Sequence, residues 1–216
     1  MLRAADRQWD TSHTGRDTGP VTVRLVLISH ASTAAVRHAR FPDDEPLDAR
    51  GLAAATACHG ALGRVSAAHR GPERRCAQTA EALGLDAAPD PLLCDLDAGA
   101  WRGRRLTDLG SENPADVYAW MTDPGRAPHG GEPVADVIAR TAAWLDRLPD
   151  TPSRIAAVTH PAMIRAAVLH VLDAPPGAFW RVDVPPLSQT RLSLNDGRWR
   201  LRETGHPLDP VCDDAG

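Results

Sequence analysis

Residues 21–30 read VTVRLVLISH, a run of β-branched and aliphatic residues interrupted only by Arg24 and closed by Ser29 and His30. It is short, bounded by polar residues and rich in Val, Leu and Ile. These features describe a buried strand, and a strand covered on both faces need not alternate apolar with polar residues. Roughly 130 positions later the pattern returns: residues 154–160 read RIAAVTH, again ending in a hydroxyl residue and a histidine, His160. Pro161 then opens a helix expected to reach about residue 172, proline being at home in a first helical turn.

Working outward from these two strands, the rest of the chain alternates. A helix is expected over residues 48–62 with Asp48 as its cap, a strand over 64–68, and a helix over 72–84 with Pro72 in its first turn and Gly84 closing it. A third strand is expected within 86–93, a loop over 96–105, a short helix over 113–121 and an amphipathic helix over 134–148. The tail reads as short strands, with the NDG of residues 195–197 as a hairpin turn. Strands alternating with helices give an α/β fold, a three-layer α/β/α arrangement around a mainly parallel sheet. Residues 1–20 read as a polar arm, 21–206 as one domain and 207–216 as a tail.

Composition narrows the possibilities. With 216 residues and 43% hydrophobic content, the chain can bury one sizeable core, and a net charge of −4 favours neither a nucleic acid nor an anionic membrane as partner. The polar start lacks the apolar centre of a signal peptide, and no stretch is apolar for long enough to span a bilayer, so a cytoplasmic protein is expected. Cys58, Cys76, Cys94 and Cys212 show no CxxC spacing, and no histidine joins them at metal-ligand spacing. They read as reduced thiols, and neither metal nor cofactor is expected. The sequence carries no mark of oligomeric state.

In an open α/β sheet, ligands bind outside the carboxyl ends of the strands. Two central parallel strands would bring His30 and His160 to one rim, and the helix beginning at Pro161 would offer an N-terminus that attracts anions. Strand-end position alone leaves two unrelated surface histidines an equally good reading.

Further motifs weigh against that bland reading. LISHAST (residues 27–33) resembles the Leu-Val-Arg-His-Gly-Glu-Thr signature of the histidine phosphatase (phosphoglycerate-mutase-like) superfamily. DEPLDARGLAAA (44–55) is similar to that family's Asp-x-Pro-Leu-Thr-x-x-Gly segment, and GPERRCAQTAEALGL (71–85) resembles Ser-Pro-Leu-x-Arg-Ala-x-Gln-Thr-Ala. CDLDAGAWRG (94–103), the GGEP near Gly131 and AVTHPAMIRAAVLHVL around His160 follow in the family's order. The resemblance implies a phosphomonoester hydrolase working without metal on a small phosphorylated substrate. Position by position, His30 resembles the nucleophile that accepts the phosphoryl group. Arg75 matches the arginine whose planar fork grips two phosphate oxygens. His160 matches the second histidine, a hydrogen-bond donor to the phosphoryl group, and Asp95 takes the place of the acid that protonates the leaving oxygen. Trp101 reads as a packing residue. His129, in a Gly-rich loop, is the remaining histidine placed to reach the pocket.

The departures are specific. The arginine before the nucleophile is Ser29, the following Gly-Glu is Ala31-Ser32, the asparagine further on is Val36, the acid is Asp95 and not Glu, and the glutamate of Trp-Glu-Gly is Arg102. Losing one charge-stabilising donor costs roughly 3 kcal/mol, a hundredfold or more in rate. Ser29 retains a hydrogen-bond donor for phosphate. Arg102 is the first candidate to replace the lost cation, and Arg37 the second. The alternative to a weakened phosphatase is a catalytically impaired protein of the same fold that binds a phosphorylated ligand or anion. Unrelated chemistry on the same scaffold ranks last.

Overall fold

Two hydrogen-bonded neighbours far apart in the chain form the middle of the sheet. The computed structural model describes residues 23–210, so the expected arm and most of the expected tail lie outside the described residues. In chain order the elements are β1 (Val23–Ser29), α1 (Ala34–Arg37), α2 (Ala49–Ala57), β2 (Ala67–Arg70), α3 (Arg74–Ala82), β3 (Ala88–Pro89), α4 (Leu106–Glu112) and α5 (Pro114–Thr122). They continue with α6 (Val134–Asp146), β4 (Ser153–Thr159), α7 (Pro161–Val171), β5 (Ser188–Asn195) and β6 (Arg198–Pro207). The six strands form one sheet in the order β3-β2-β4-β1-β5-β6. The pairs β1–β4, β2–β4 and β2–β3 are parallel, while β1–β5 and β5–β6 are antiparallel. The sheet is therefore mixed: a parallel half built by helical crossovers, and a hairpin added at the other edge.

The layers follow from the alternation of β1. Val23, Leu25 and Leu27 point to one face, where α6 and α7 cover them with Val134, Val137, Trp144, Met163 and Ile164. Val26 and Ile28 point to the other, against Cys58, Leu62, Cys76, Ala80 and Leu83 from the α2 and α3 region. Burial on both faces explains why the sequence of β1 is apolar without a period of two. A third, smaller cluster joins Trp101, Leu109 and Trp120 with Phe41, Val117 and Trp180. It lies under α4 and α5.

Several expected elements stand where the pattern put them, and others moved. Asp48 caps α2 by accepting a 2.7 Å hydrogen bond from Gly51 N. Pro72 lies before α3, whose cap is Glu73. β2 begins three residues later than expected, and the third strand shrinks to Ala88–Pro89 followed by a single 3-10 turn at Pro91–Leu93. That edge strand holds a proline and is covered on one side only, so it needs neither length nor a ladder donor there. The hairpin is present, with Asp196 and Gly197 both at positive φ, as a two-residue turn demands. Its strands are longer than expected, eight and ten residues. Among the described residues no helix is long and apolar enough to cross a membrane.

Candidate active site

The parallel register pairs Ser29 with Thr159, so the next residue of each strand is a histidine. The His30 amide donates to Thr159 O at 2.9 Å, which carries the ladder one step past the strands. The two imidazoles, 4% and 0% exposed, meet edge to face with centroids 5.3 Å apart.

Three further segments converge on this pair. α3 follows the end of β2, next to β4, and carries Arg75, which is 2% exposed. Thr79 ties α3 to the first histidine loop: its hydroxyl accepts from Ala31 N at 3.0 Å and donates to Arg75 O at 2.7 Å. The loop after the 3-10 turn carries Asp95. Thr159 Oγ1 holds that loop by donating to Leu93 O at 3.0 Å. From α6, Arg140 donates to Leu92 O and Cys94 O at 2.7 and 3.0 Å while both its nitrogens Nε and Nη2 clasp Glu132 at 2.9 and 2.8 Å.

Within the cluster, Arg75 Nη2 donates to Asp95 Oδ2 at 2.7 Å, and Arg75 Nε and Nη1 are buried with no partner among the described residues. His160 Nε2 lies 2.8 Å from Glu73 Oε2 and 3.3 Å from Cys76 Sγ. Its Nδ1 faces Asp95 Oδ2 at 3.4 Å without a hydrogen bond. His30 Nδ1 donates to Ala31 O at 2.8 Å, since a carbonyl can only accept.

The two rings differ in charge, one neutral and one cationic. Burial, helped by the neighbouring His160 and Arg75 cations, lowers His30 to a pKa of about 3, so it is neutral at ordinary pH. Burial acts on His160 in the same direction. There it is overcome by the Cys76 sulfur and by the carboxylates of Asp95 and Glu73, and the pKa is pushed up to about 10. Burial would raise Asp95, but the His160 and Arg75 cations hold its carboxyl below the usual range. A general acid is expected to be raised toward neutrality; in this structure Asp95 is an ionised partner of Arg75.

The other expected residues are placed as follows. Ser29 is fully buried and its hydroxyl has no partner among the described residues. Arg102, half exposed, pairs with Asp97 at 2.7 Å and borders a cavity shared with Glu73, Arg75 and Asp95 but not with His30. Arg37 is exposed and lies 3.7 Å from Asp48. His129 packs against Trp101 and Trp120, and burial lowers its pKa. Trp101 is a packing residue, as read. Two arginines overlooked in the sequence, Arg40 and Arg165, line the cavity of about 160 Å³ that opens on His30 and Asp95. Phe41, Trp120 and Trp180 form its apolar wall, and the Arg165 guanidinium lies over the Trp180 ring at 5.5 Å. Glu73 was also overlooked, because a carboxylate at the start of a helix ordinarily faces water.

Residues 25–206 match the model of the histidine phosphatase superfamily, branch 1. The chain belongs to that family. This histidine phosphatase is 28% identical over 170 residues to a glucosyl-3-phosphoglycerate phosphatase of Mycobacterium tuberculosis, covering 70% of this chain and 76% of the relative. It is 24% identical over 187 residues to phosphoserine phosphatase 1 of Hydrogenobacter thermophilus, covering 82% and 89%. A bifunctional protein of Mycobacterium tuberculosis is 28% identical over 170 residues, 74% of this chain; the match spans 47%, about half, of that relative's length. Among solved structures, the mycobacterial glucosyl-3-phosphoglycerate phosphatase in complex with VO3 superposes with a TM-score of 0.74 at 28% identity, covering 85% of this chain and 98% of that one.

Proposed function

We propose that this chain hydrolyses phosphomonoesters in two displacements, with the phosphoryl group carried on His30. The observation that carries this reading is the fixed tautomer of a neutral His30. Its Nδ1–H is spent on Ala31 O, which leaves the Nε2 lone pair free at the wall of a cavity that also contains Asp95. Arg75 Nε and Nη1 and the His160 Nδ1–H are three buried donors lacking acceptors among the described residues, a set suited to the oxygens of one tetrahedral anion.

In the first displacement Nε2 attacks phosphorus, the P–O ester bond breaks, and the departing oxygen takes a proton from Asp95. Asp95 can carry that proton only once a phosphoryl dianion occupies Arg75 and His160, because those cations are what hold its carboxyl ionised. In the second, Asp95 removes a proton from water, the water oxygen attacks phosphorus, the P–N bond breaks, and phosphate leaves. Ser29 supplies no charge, which weakens the reaction relative to a site with an arginine there. Arg165 is a better-placed substitute than Arg102, since it lines the His30 cavity. The Phe41, Trp120 and Trp180 wall favours an alcohol with a flat apolar body.

The test is the His30→Ala variant with a radiolabelled aryl phosphate. Turnover and acid-labile protein labelling are both expected to vanish. Full turnover in the variant refutes covalent catalysis at His30. A wild type that binds phosphate but turns over no aryl phosphate would instead assign the chain to the impaired, ligand-holding reading.

A further inference from the structure

At the second histidine, among residues that do not line the His30 cavity, three ligand-type side chains crowd together. Glu73 Oε2, Cys76 Sγ and His160 Nε2 all lie within 4.8 Å of one another. Cys76 and His160 are completely buried, and Glu73 is 17% exposed. All three positions are set by the junction of β2, α3 and β4. The family motif quoted above has Ser, Leu and Ala at 71, 73 and 76, whereas this chain has Gly71, Glu73 and Cys76. The glycine leaves room for the cluster: a Cβ at residue 71 would fall 2.8 Å from Glu73 Oε2 and His160 Nε2, and equally close to the backbone Leu93 O. Three departures thus act together to bring a carboxylate and a thiol to one imidazole nitrogen.

We propose that Glu73, Cys76 and His160 form a binding site for a soft divalent cation of the zinc type. The donor set of one thiolate, one imidazole and one carboxylate is that of a three-protein-ligand tetrahedral centre, whose fourth position takes water. Ideal zinc bond lengths place N and S about 3.6 Å apart and N and O about 3.4 Å apart across a tetrahedral edge. The observed separations are 3.3 Å and 2.8 Å, so a metal enters by opening the Cys76–His160 edge about 0.3 Å and by moving the Glu73 carboxylate outward about 0.6 Å. Room for that lies on the outer side, where Glu73 borders a cavity of about 250 Å³ that supplies the route from solvent. The other Glu73 oxygen is anchored, accepting from Asp95 N at 2.9 Å, which orients the ligand as a supporting hydrogen bond does at metal centres.

With metal, one thiolate and one carboxylate offset the charge of the dication and His160 binds through Nε2, leaving Nδ1 to keep its hydrogen toward Asp95. Ligand atoms must shed their protons to bind, so affinity rises with pH. The site is independent of whether the chain hydrolyses anything.

The experiment is a titration of the chelator-treated full chain with Co2+, read by absorbance, and with Zn2+, read by calorimetry in buffers of differing ionisation enthalpy. One equivalent of Co2+ is expected to bring up a thiolate-to-cobalt charge-transfer band together with the intense visible bands of four-coordinate cobalt. Zn2+ should displace it, and Zn2+ added to the metal-free chain should release protons. Cys76→Ala should abolish the charge-transfer band. Glu73→Gln should weaken binding by at least the tenfold or more that loss of even a supporting group costs. Cys94→Ala, which alters a thiol on the neighbouring cavity, should leave the band intact. No band with wild type, a band that survives Cys76→Ala, or one lost in Cys94→Ala overturns the proposal. Circular dichroism identifies variants that fail to fold, and Cys76→Ser then takes the place of Cys76→Ala.

Discussion

Asp95→Asn separates anion binding from turnover and drives them in opposite directions. In the wild type the Asp95 carboxylate sits 2.7 Å from Arg75 and 3.4 Å from His160 Nδ1, so it holds the cations that a phosphoryl group needs. The amide keeps the shape but removes the charge. Breaking a buried ion pair by neutralising one partner costs about 3–5 kcal/mol. Asp95 is 17% exposed, so the low end, about 3 kcal/mol, applies. For a chain of this size that lowers Tm by roughly 6–12 °C. Phosphate should then substitute for the missing carboxylate. At a hundredfold excess over Kd it returns about 2.7 kcal/mol, most of the loss. The assay is differential scanning calorimetry of both proteins in a phosphate-free buffer and across a phosphate series, beside steady-state kinetics on an aryl phosphate. The variant should melt lower, gain more from phosphate than the wild type, and turn over at least a hundredfold more slowly for want of a leaving-group acid. A variant as stable as wild type, or a wild type that gains more from phosphate, refutes the account of Asp95 as the resident counter-ion.

Other perturbations follow from the same geometry. Arg165→Met should keep the side chain's stacking on Trp180 but lower kcat/KM by about ten- to a hundredfold, the worth of a charge-assisted contact; equal values would remove Arg165 from the substrate cavity. Arg140→Leu frees the Asp95 loop and strands Glu132, and should cost about 3 kcal/mol in denaturant unfolding, with kcat falling more than KM rises. The raised pKa of His160 makes its contribution to stability fully present below its unfolded value of 6.5 and lost as pH climbs through about 10. The lowered pKa of His30 works in the other sense, since a ring buried neutral must be charged as pH falls from 6.5 toward about 3. A Tm-against-pH profile should therefore fall at both ends, and His30→Ala should flatten the acid limb.

How much of this was legible in the sequence depends on what each residue answers to. The strands ending in His30 and His160 were readable because burial on both sheet faces leaves a dense apolar run, and the helix around Arg75 because Pro72 and Gly84 punctuate it. The hairpin was readable from NDG alone. The edge strand was overestimated because Asp86 to Leu93 is apolar enough for pairing that its prolines then forbid. The aromatic wall was hidden because Phe41, Trp120 and Trp180 come from three distant segments, and nothing periodic links them. Arg165 looked like any helix arginine. The ionisation of Asp95 was misjudged for a related reason: the motif supplied its position, but its charge is set by Arg75 and His160, which reach it through space. Glu73 and Cys76 were hidden in plain view inside a matched motif, where the eye follows the identities.

The pairing of β1 with β4 has a consequence for biosynthesis. The first histidine leaves the ribosome long before its partner strand is made, and at 5–20 residues per second the interval is roughly 6–26 s. Throughout that time β1 has neither of its sheet neighbours, since β5 is made later still, and nascent chains halted before residue 160 hold half a reaction centre. Chaperone occupancy on the emerging polypeptide should peak in that window and fall away once the later strand slots in.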